Sequence, residues 1–203
     1  MPCPEGPPVP NILGIAGSPR KGGNTELLME RVLAAAQRGG AATVLFTLAG
    51  KTISPCLACG VCVQRADGCC VQKDDMAGLY PLLLSADTVV FGTPVYLNTM
   101  SAQLKAVLDR CRPLWWKDRA LSGKVVAVVT VGAARWGGQE VAAQHVFTCA
   151  FNHGMTLPGS AATAGWQVCA VGRDPGDVLR DFEALSAAED LGRRLARLKV
   201  EVG

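Results

Sequence analysis

Short apolar runs alternate with helix-length amphipathic stretches five times along this chain, and that pattern leaves few folds open. The runs are NILGIAG, ATVLFTL, DTVVFGTP, GKVVAVVTVG and a weaker one at about 155–161. Between and after them lie apolar stripes at helical spacing. The first is Leu28, Met29, Val32, Leu33 and Ala36, with Asn24 as its expected cap and Gly39 and Gly40 as its stop. Further helices are expected from Asp74 or Asp75 to about 86, over about 101–110, and over about 139–152. The last is expected over about 175–198, with Val178, Phe182, Leu185, Leu191, Leu195 and Leu198 as its stripe. Repeated strand–helix alternation predicts an α/β fold: a doubly wound five-stranded parallel sheet with helices on both faces.

A length of 203 residues suits one domain, and 49% apolar residues suffice for a full core. Residues 1–10 carry five prolines and read as an extended tail, with one domain over 11–203. The net charge of +3 is too small to point to nucleic acid or an anionic membrane surface. No apolar run approaches the roughly 20 residues that span a bilayer. The first residues carry neither a basic nor an apolar targeting segment. A cytoplasmic chain with reduced thiols is the expectation, since five of its nine cysteines crowd together rather than spread as in secreted disulfide scaffolds.

In a doubly wound sheet, ligands bind beyond the C-terminal ends of the strands. The loop after the first run is Gly17, Ser18, Pro19, Arg20, Lys21, Gly22, Gly23, Asn24, Thr25. Backbone N–H groups at a helix start, hydroxyl and amide donors and an arginine fork make it a phosphate site. It lacks the Gly-Lys-Ser/Thr of a nucleotide triphosphatase loop. The second run leads into FTLAGK, without the acid that a dinucleotide fold places there. The third run ends in Thr93, Pro94, Val95, Tyr96, Leu97 and Asn98, and the fourth in Gly132, Ala133, Ala134, Arg135, Trp136, Gly137 and Gly138. Both suit the flanks of a flat ring.

GSPRKGGNTE, TPVYLNTMSAQLKAVLDR and GAARWGGQE, in that order, resemble the three flavin loops of the NADPH-dependent FMN reductase family. That resemblance implies a flavodoxin-like fold with FMN at the sheet edge. It assigns Ser18, Arg20, Asn24 and Thr25 to the phosphate, Thr93, Pro94, Val95, Tyr96, Leu97 and Asn98 to one side of the isoalloxazine, and Gly132, Ala133 and Gly138 to another. It implies a flavin-dependent oxidoreductase, with a small-molecule or ferredoxin-type donor or acceptor, NAD(P)H among the candidates, and assembly as a homodimer or tetramer. No catalytic acid or base is nominated, because the flavin carries the chemistry. Trp115 and Trp116 form an apolar pair that suits either an interface or a gap beneath the next loop.

Five of the nine cysteines fall within a cysteine-rich insert at about 55–73. Cys56, Cys59 and Cys62 have the compact spacing of iron–sulfur ligands, and Cys69 and Cys70 follow. The segment resembles the iron–sulfur flavoprotein branch of the same family, whose Gly-x-Cys-x-x-x-Asp-Asp-Met pattern falls on Gly68, Cys70, Asp74, Asp75 and Met76. The resemblance implies a 4Fe–4S cluster on Cys56, Cys59, Cys62 and Cys70, with Cys69 as the alternative fourth ligand. One competing reading is an NAD(P)H-dependent FMN or quinone reductase without a cluster, its cysteine loop a thiol-bearing lid or a zinc site; the other is a pure electron carrier with no substrate of its own. Following the second run, the segment is expected at the flavin-loop edge of the sheet. The expectation for Cys111, Cys149 and Cys169 is core packing, and for His145 and His153 packing or surface.

Overall fold

The computed structural model describes residues 11–65, 67–157 and 165–198. The strands are β1 (Ile12–Ala16), β2 (Thr43–Thr47), β3 (Thr88–Pro94), β4 (Val125–Gly132) and β5 (Gln167–Val171). All pair in parallel, in the order β2-β1-β3-β4-β5. Ile12 is level with Thr43 on one side and Thr88 on the other, so the order reverses at β1. That reversal is the switch point at which such sheets leave a crevice. β1 and β4 are buried along their whole length, which explains why they read as continuous apolar runs rather than alternating ones.

The helices are α1 (Asn24–Arg38), α2 (Val61–Gln64), α3 (Met76–Ser85), α4 (Ala102–Arg110), α5 (Arg112–Trp116), α6 (Gln139–Asn152) and α7 (Phe182–Arg197). Right-handed crossovers to opposite sides of β1 place α1 on one face and the crossovers from β3 onward on the other. α7 packs against α1. Gly192 makes that contact close: a Cβ there would run into the Val32 carbonyl and the Ala35 side chain. Leu28, Met29, Val32, Leu33 and Ala36 are all buried, as their spacing predicts. Each such side chain contributes about 1.5–3 kcal/mol when fully removed from water.

Three local expectations are corrected. The fifth strand is not at 155–161. Thr156 makes only an isolated bridge to Val125, and 158–161 lie outside the described residues. The strand that runs beside β4 is Gln167–Val171, paired with Val128 through Gly132. Pro158 lacks the N–H that a ladder needs, whereas Val168 and Val171 suit a pleated surface. The last helix begins at Phe182, after a 3-10 turn over Asp177–Arg180. Asp181 breaks the helical register and caps α7, accepting from Ala184 N at 3.2 Å. Phe182 therefore leaves the apolar stripe and is 77% exposed.

The third correction concerns a cap. Gly23, not Asn24, precedes the first turn of α1, and Asn24 turns its side chain elsewhere. Of the two acids expected to cap α3, Asp74 accepts from Met76 N, the first residue of the helix, at 3.2 Å, while Asp75 makes no cap bond and accepts from Thr52 N at 2.7 Å. Residues 1–10, read as a tail, lie outside the described residues. No helix among the described residues is long and apolar enough to cross a membrane.

Candidate functional site

The loops after β1, β3 and β4 meet at the C-terminal edge of the sheet and are tied to one another. Gly17 N donates to Gly92 O at 2.7 Å. Ser101 Oγ donates to Gly17 O at 2.6 Å and accepts from Leu104 N at 3.2 Å, so one hydroxyl joins the first loop to the start of α4. Ser101 N donates to Thr93 Oγ1 at 2.9 Å. These bonds lie in buried backbone, where an unpaired polar group costs about 1–3 kcal/mol, and they fix the first two loops relative to each other.

In the first loop Ser18 is buried and accepts from Arg20 N at 3.1 Å, while Gly22 turns the chain at a φ of +62°. Glu26, in the first turn of α1, accepts from Gly22 N at 3.0 Å. Thr25 is buried at the helix start. Arg20 is exposed and reaches Arg173 O at 3.4 Å. The Asn24 amide donates to Asp174 O at 2.8 Å and its oxygen accepts from Gly176 N at 2.9 Å. The β5–α7 connection thus forms a fourth wall that the sequence reading missed. An open cleft of about 600 Å³ lies along it, bordered by Ala133, Arg135, Arg173, Arg180 and Phe182.

The second loop is rigid. Tyr96 and Thr99 exchange backbone hydrogen bonds of 2.9 and 3.1 Å across Leu97 and Asn98, whose φ values are +48° and +61°. That is the backbone of a tight hairpin turn, and it leaves Leu97 wholly exposed. His145 is part of this brace, with its Nδ1 2.8 Å from Thr99 Oγ1. In the third loop Gly138 has φ +94°, and a Cβ there would lie 2.9 Å from Asn98 Cα. Only glycine lets the two loops approach so closely. Arg135 pairs with Asp181 at 3.4 Å and Glu183 at 3.3 Å, and Trp136 is 83% exposed.

The cysteine segment makes a second centre. Cys56, Cys59, Cys62 and Cys70 line one narrow pocket, together with Arg110, Arg112 and Pro113. Burial raises the Cys62 thiol above its ordinary pKa; Arg112 opposes this, while Cys70, Cys56 and Cys59 add to it. Cys69 is not part of that wall, and its Sγ donates to Asp67 O at 3.5 Å. Among the described residues no three His, Cys, Asp or Glu side chains are drawn together as ligands of a single ion would be.

What holds the segment is an ion pair beneath it. Arg110 donates to both oxygens of Asp74, at 2.7 and 3.0 Å, and to Ser54 O at 2.9 Å. Both side chains are under one-tenth exposed. Burial by itself would raise the Asp74 pKa, but the hydrogen bonds from Arg110 and Ser54 N outweigh it and hold the carboxyl below the usual range. Arg110 is thereby the anchor of the cysteine segment.

The expected position of this segment at the flavin-loop edge is corrected too. The loops after β1 and β3 meet the first turn of α4 through Ser101, whereas the cysteine pocket is walled by Arg110 at its last turn. A nine-residue helix spans about 13.5 Å. The segment leaves β2 at the edge but folds back along the helical layer to reach Arg110. Of the other cysteines, Cys111 is fully buried, and burial pushes its thiol up to about 12. Cys149 and Cys169 are half-buried, and burial raises both thiols. Trp115 stacks edge-on with Trp116 at 4.6 Å and donates to Asn152 O at 3.0 Å, leaving Trp116 about half exposed.

The sequence model of the NADPH-dependent FMN reductase family matches residues 10–167. An iron-sulfur flavoprotein of Methanocaldococcus jannaschii is 38% identical over 188 residues, covering 92% of this chain and 96% of its own length. An iron-sulfur flavoprotein of Archaeoglobus fulgidus is 42% identical over 155 residues, covering 76% of this chain and 77% of its own. The crystal structure of a flavodoxin, WrbA-like protein from Agrobacterium tumefaciens shares the fold, with a TM-score of 0.64 and 21% identity over 92% of this chain and 95% of that one. With its flavodoxin-like sheet and its three interlocked edge loops, the chain belongs to the NADPH-dependent FMN reductase family and is a flavin-dependent oxidoreductase that uses FMN.

Proposed function

We propose that the chain relays electrons between a 4Fe–4S cluster and FMN. The observation that carries this reading is the sharing of one pocket by four thiols in a chain whose three edge loops are built for a flavin. A cubane takes one thiolate at each of four irons, so its ligands surround a volume. A zinc ion draws them to about 2.3 Å from one point. Cys56, Cys59, Cys62 and Cys70 border one pocket, and the two-residue spacing of the first three suits the cluster, with all four as its ligands.

In this reading Ser18, Arg20, Asn24 and Thr25 hold the FMN phosphate at the α1 N-terminus. Thr93, Pro94, Val95, Tyr96, Leu97 and Asn98 form one flank of the ring, and Gly132, Ala133 and Gly138 the other. Exposed Arg20 supplies charge to the phosphate, while Asn24 secures the β5–α7 connection beside it. Bound FMN supplies one- and two-electron chemistry, and a cluster supplies single electrons, so the chain's residues need only orient, bury and insulate. Partners are small-molecule or ferredoxin-type electron carriers, NAD(P)H among them. We place the protein in the cytoplasm, where thiols stay reduced, as a homodimer or tetramer.

Anaerobic stopped-flow reduction tests the relay. A one-electron donor is expected to bleach the flavin of the native protein. In Cys62→Ser, FMN is expected to remain bound and its reduction by that donor to slow at least about tenfold. An unchanged rate would remove the cluster from the path, and rapid bleaching by NADPH in both proteins would favour a cluster-free reductase.

The flavin flanks are tested at Gly138. In Gly138→Ala the new methyl meets Asn98 and the backbone is strained at φ +94°. FMN affinity is expected to fall about tenfold, or about 1.4 kcal/mol, by fluorescence titration. Unchanged affinity would mean that the β3 and β4 loops do not both face the ring.

A further inference from the structure

We infer that the buried guanidinium of Arg110, besides bracing the cysteine segment, sets the reduction potential of the four-cysteine site. This rests on the cluster reading above and concerns a residue outside the ligand set.

Arg110 is 1% exposed and rigidly held. Asp74 and Ser54 O engage its two terminal nitrogens, and its own carbonyl accepts from Tyr80 Oη at 2.8 Å. That end-on grip leaves Nε buried without a hydrogen-bond acceptor. A buried donor with no acceptor costs free energy, so its place beside a site for anionic sulfur has a physical logic. Arg110 lines the four-cysteine pocket and Asp74 does not, so the positive end of the pair borders the site. Cys70 and Arg110 act on each other electrostatically across this wall.

Reduction adds one electron to the site, supplied in the test by dithionite, and forms or breaks no bond to the protein. The reduced site is one unit more negative. A fixed cation in a low-dielectric wall favours it, and a hydrogen bond to sulfur acts in the same direction. The neighbouring carboxylate acts in the opposite one.

The test is a mediated redox titration of the anaerobic holoprotein, followed by visible absorbance and electron paramagnetic resonance. Iron and sulfide content of the native protein reads separately whether the cluster exists. Arg110→Gln is expected to make reduction at least about tenfold less favourable, a fall of about 59 mV for one electron. Arg110→Lys keeps the charge and is expected to lose less than half of that. Asp74→Asn removes the opposing charge and is expected to shift the potential upward. A bracing role alone predicts lost iron or shifts of one sign in Arg110→Gln and Asp74→Asn. Iron-replete variants with unchanged potentials, or Arg110→Lys falling as far as Arg110→Gln, would overturn the inference.

Discussion

Replacing Asp74 by alanine is expected to lower folding stability by about 3–5 kcal/mol, because it leaves Arg110 charged and buried without its partner. Urea denaturation at neutral pH measures this. The double variant Asp74→Ala, Arg110→Met is expected to recover much of the loss, since it removes both charges from the interior. The pair also predicts a pH dependence. Asp74 titrates lower in the folded chain than in the unfolded one. Its contribution is therefore complete above about pH 4, the ordinary carboxylate value, and is lost as pH falls through the depressed folded value. Stability of Asp74→Ala should accordingly fall less between pH 5 and 3 than that of the native protein. Parallel pH profiles would show that the pair is not the acid-sensitive element.

The second large effect separates two adjacent cysteines. Cys70→Ser is expected to lose most of the iron after anaerobic purification, while Cys69→Ser keeps it. The reason is geometric: Cys70 shares the pocket with Cys56, Cys59 and Cys62, and Cys69 is bonded to Asp67 O away from it. Serine substitutes poorly for a thiolate on iron, because the hydroxyl is a harder and far weaker acid. Equal iron in both variants, or loss only from Cys69→Ser, would reassign the fourth ligand.

Most of the sheet was legible because buried parallel strands are continuous β-branched runs, and Val125–Gly132 is such a run. The fifth strand was misplaced because Gln167–Val171 alternates half-buried and buried residues, which makes it a weak signal beside the short apolar stretch at Met155. Phe182 was misassigned because periodicity was carried across a break that Asp181, an ordinary N-cap residue, was available to mark. The residues of the three edge loops are legible in the sequence, but the bonds that join them are not. Ser101 and Asn24 act through partners 84 and 150 or more residues away in sequence. The Arg110–Asp74 pair, 36 residues apart, escaped for the same reason. Spacing reveals chemistry carried by neighbours in sequence; contacts between distant segments appear only once the chain is folded.

Metal and flavin analysis of protein purified without oxygen tests the central claim most directly. The account predicts about one FMN and about four each of iron and acid-labile sulfide per chain, with broad visible absorbance that dithionite bleaches. Zinc in place of iron, or FMN alone with native thiols intact, would contradict it.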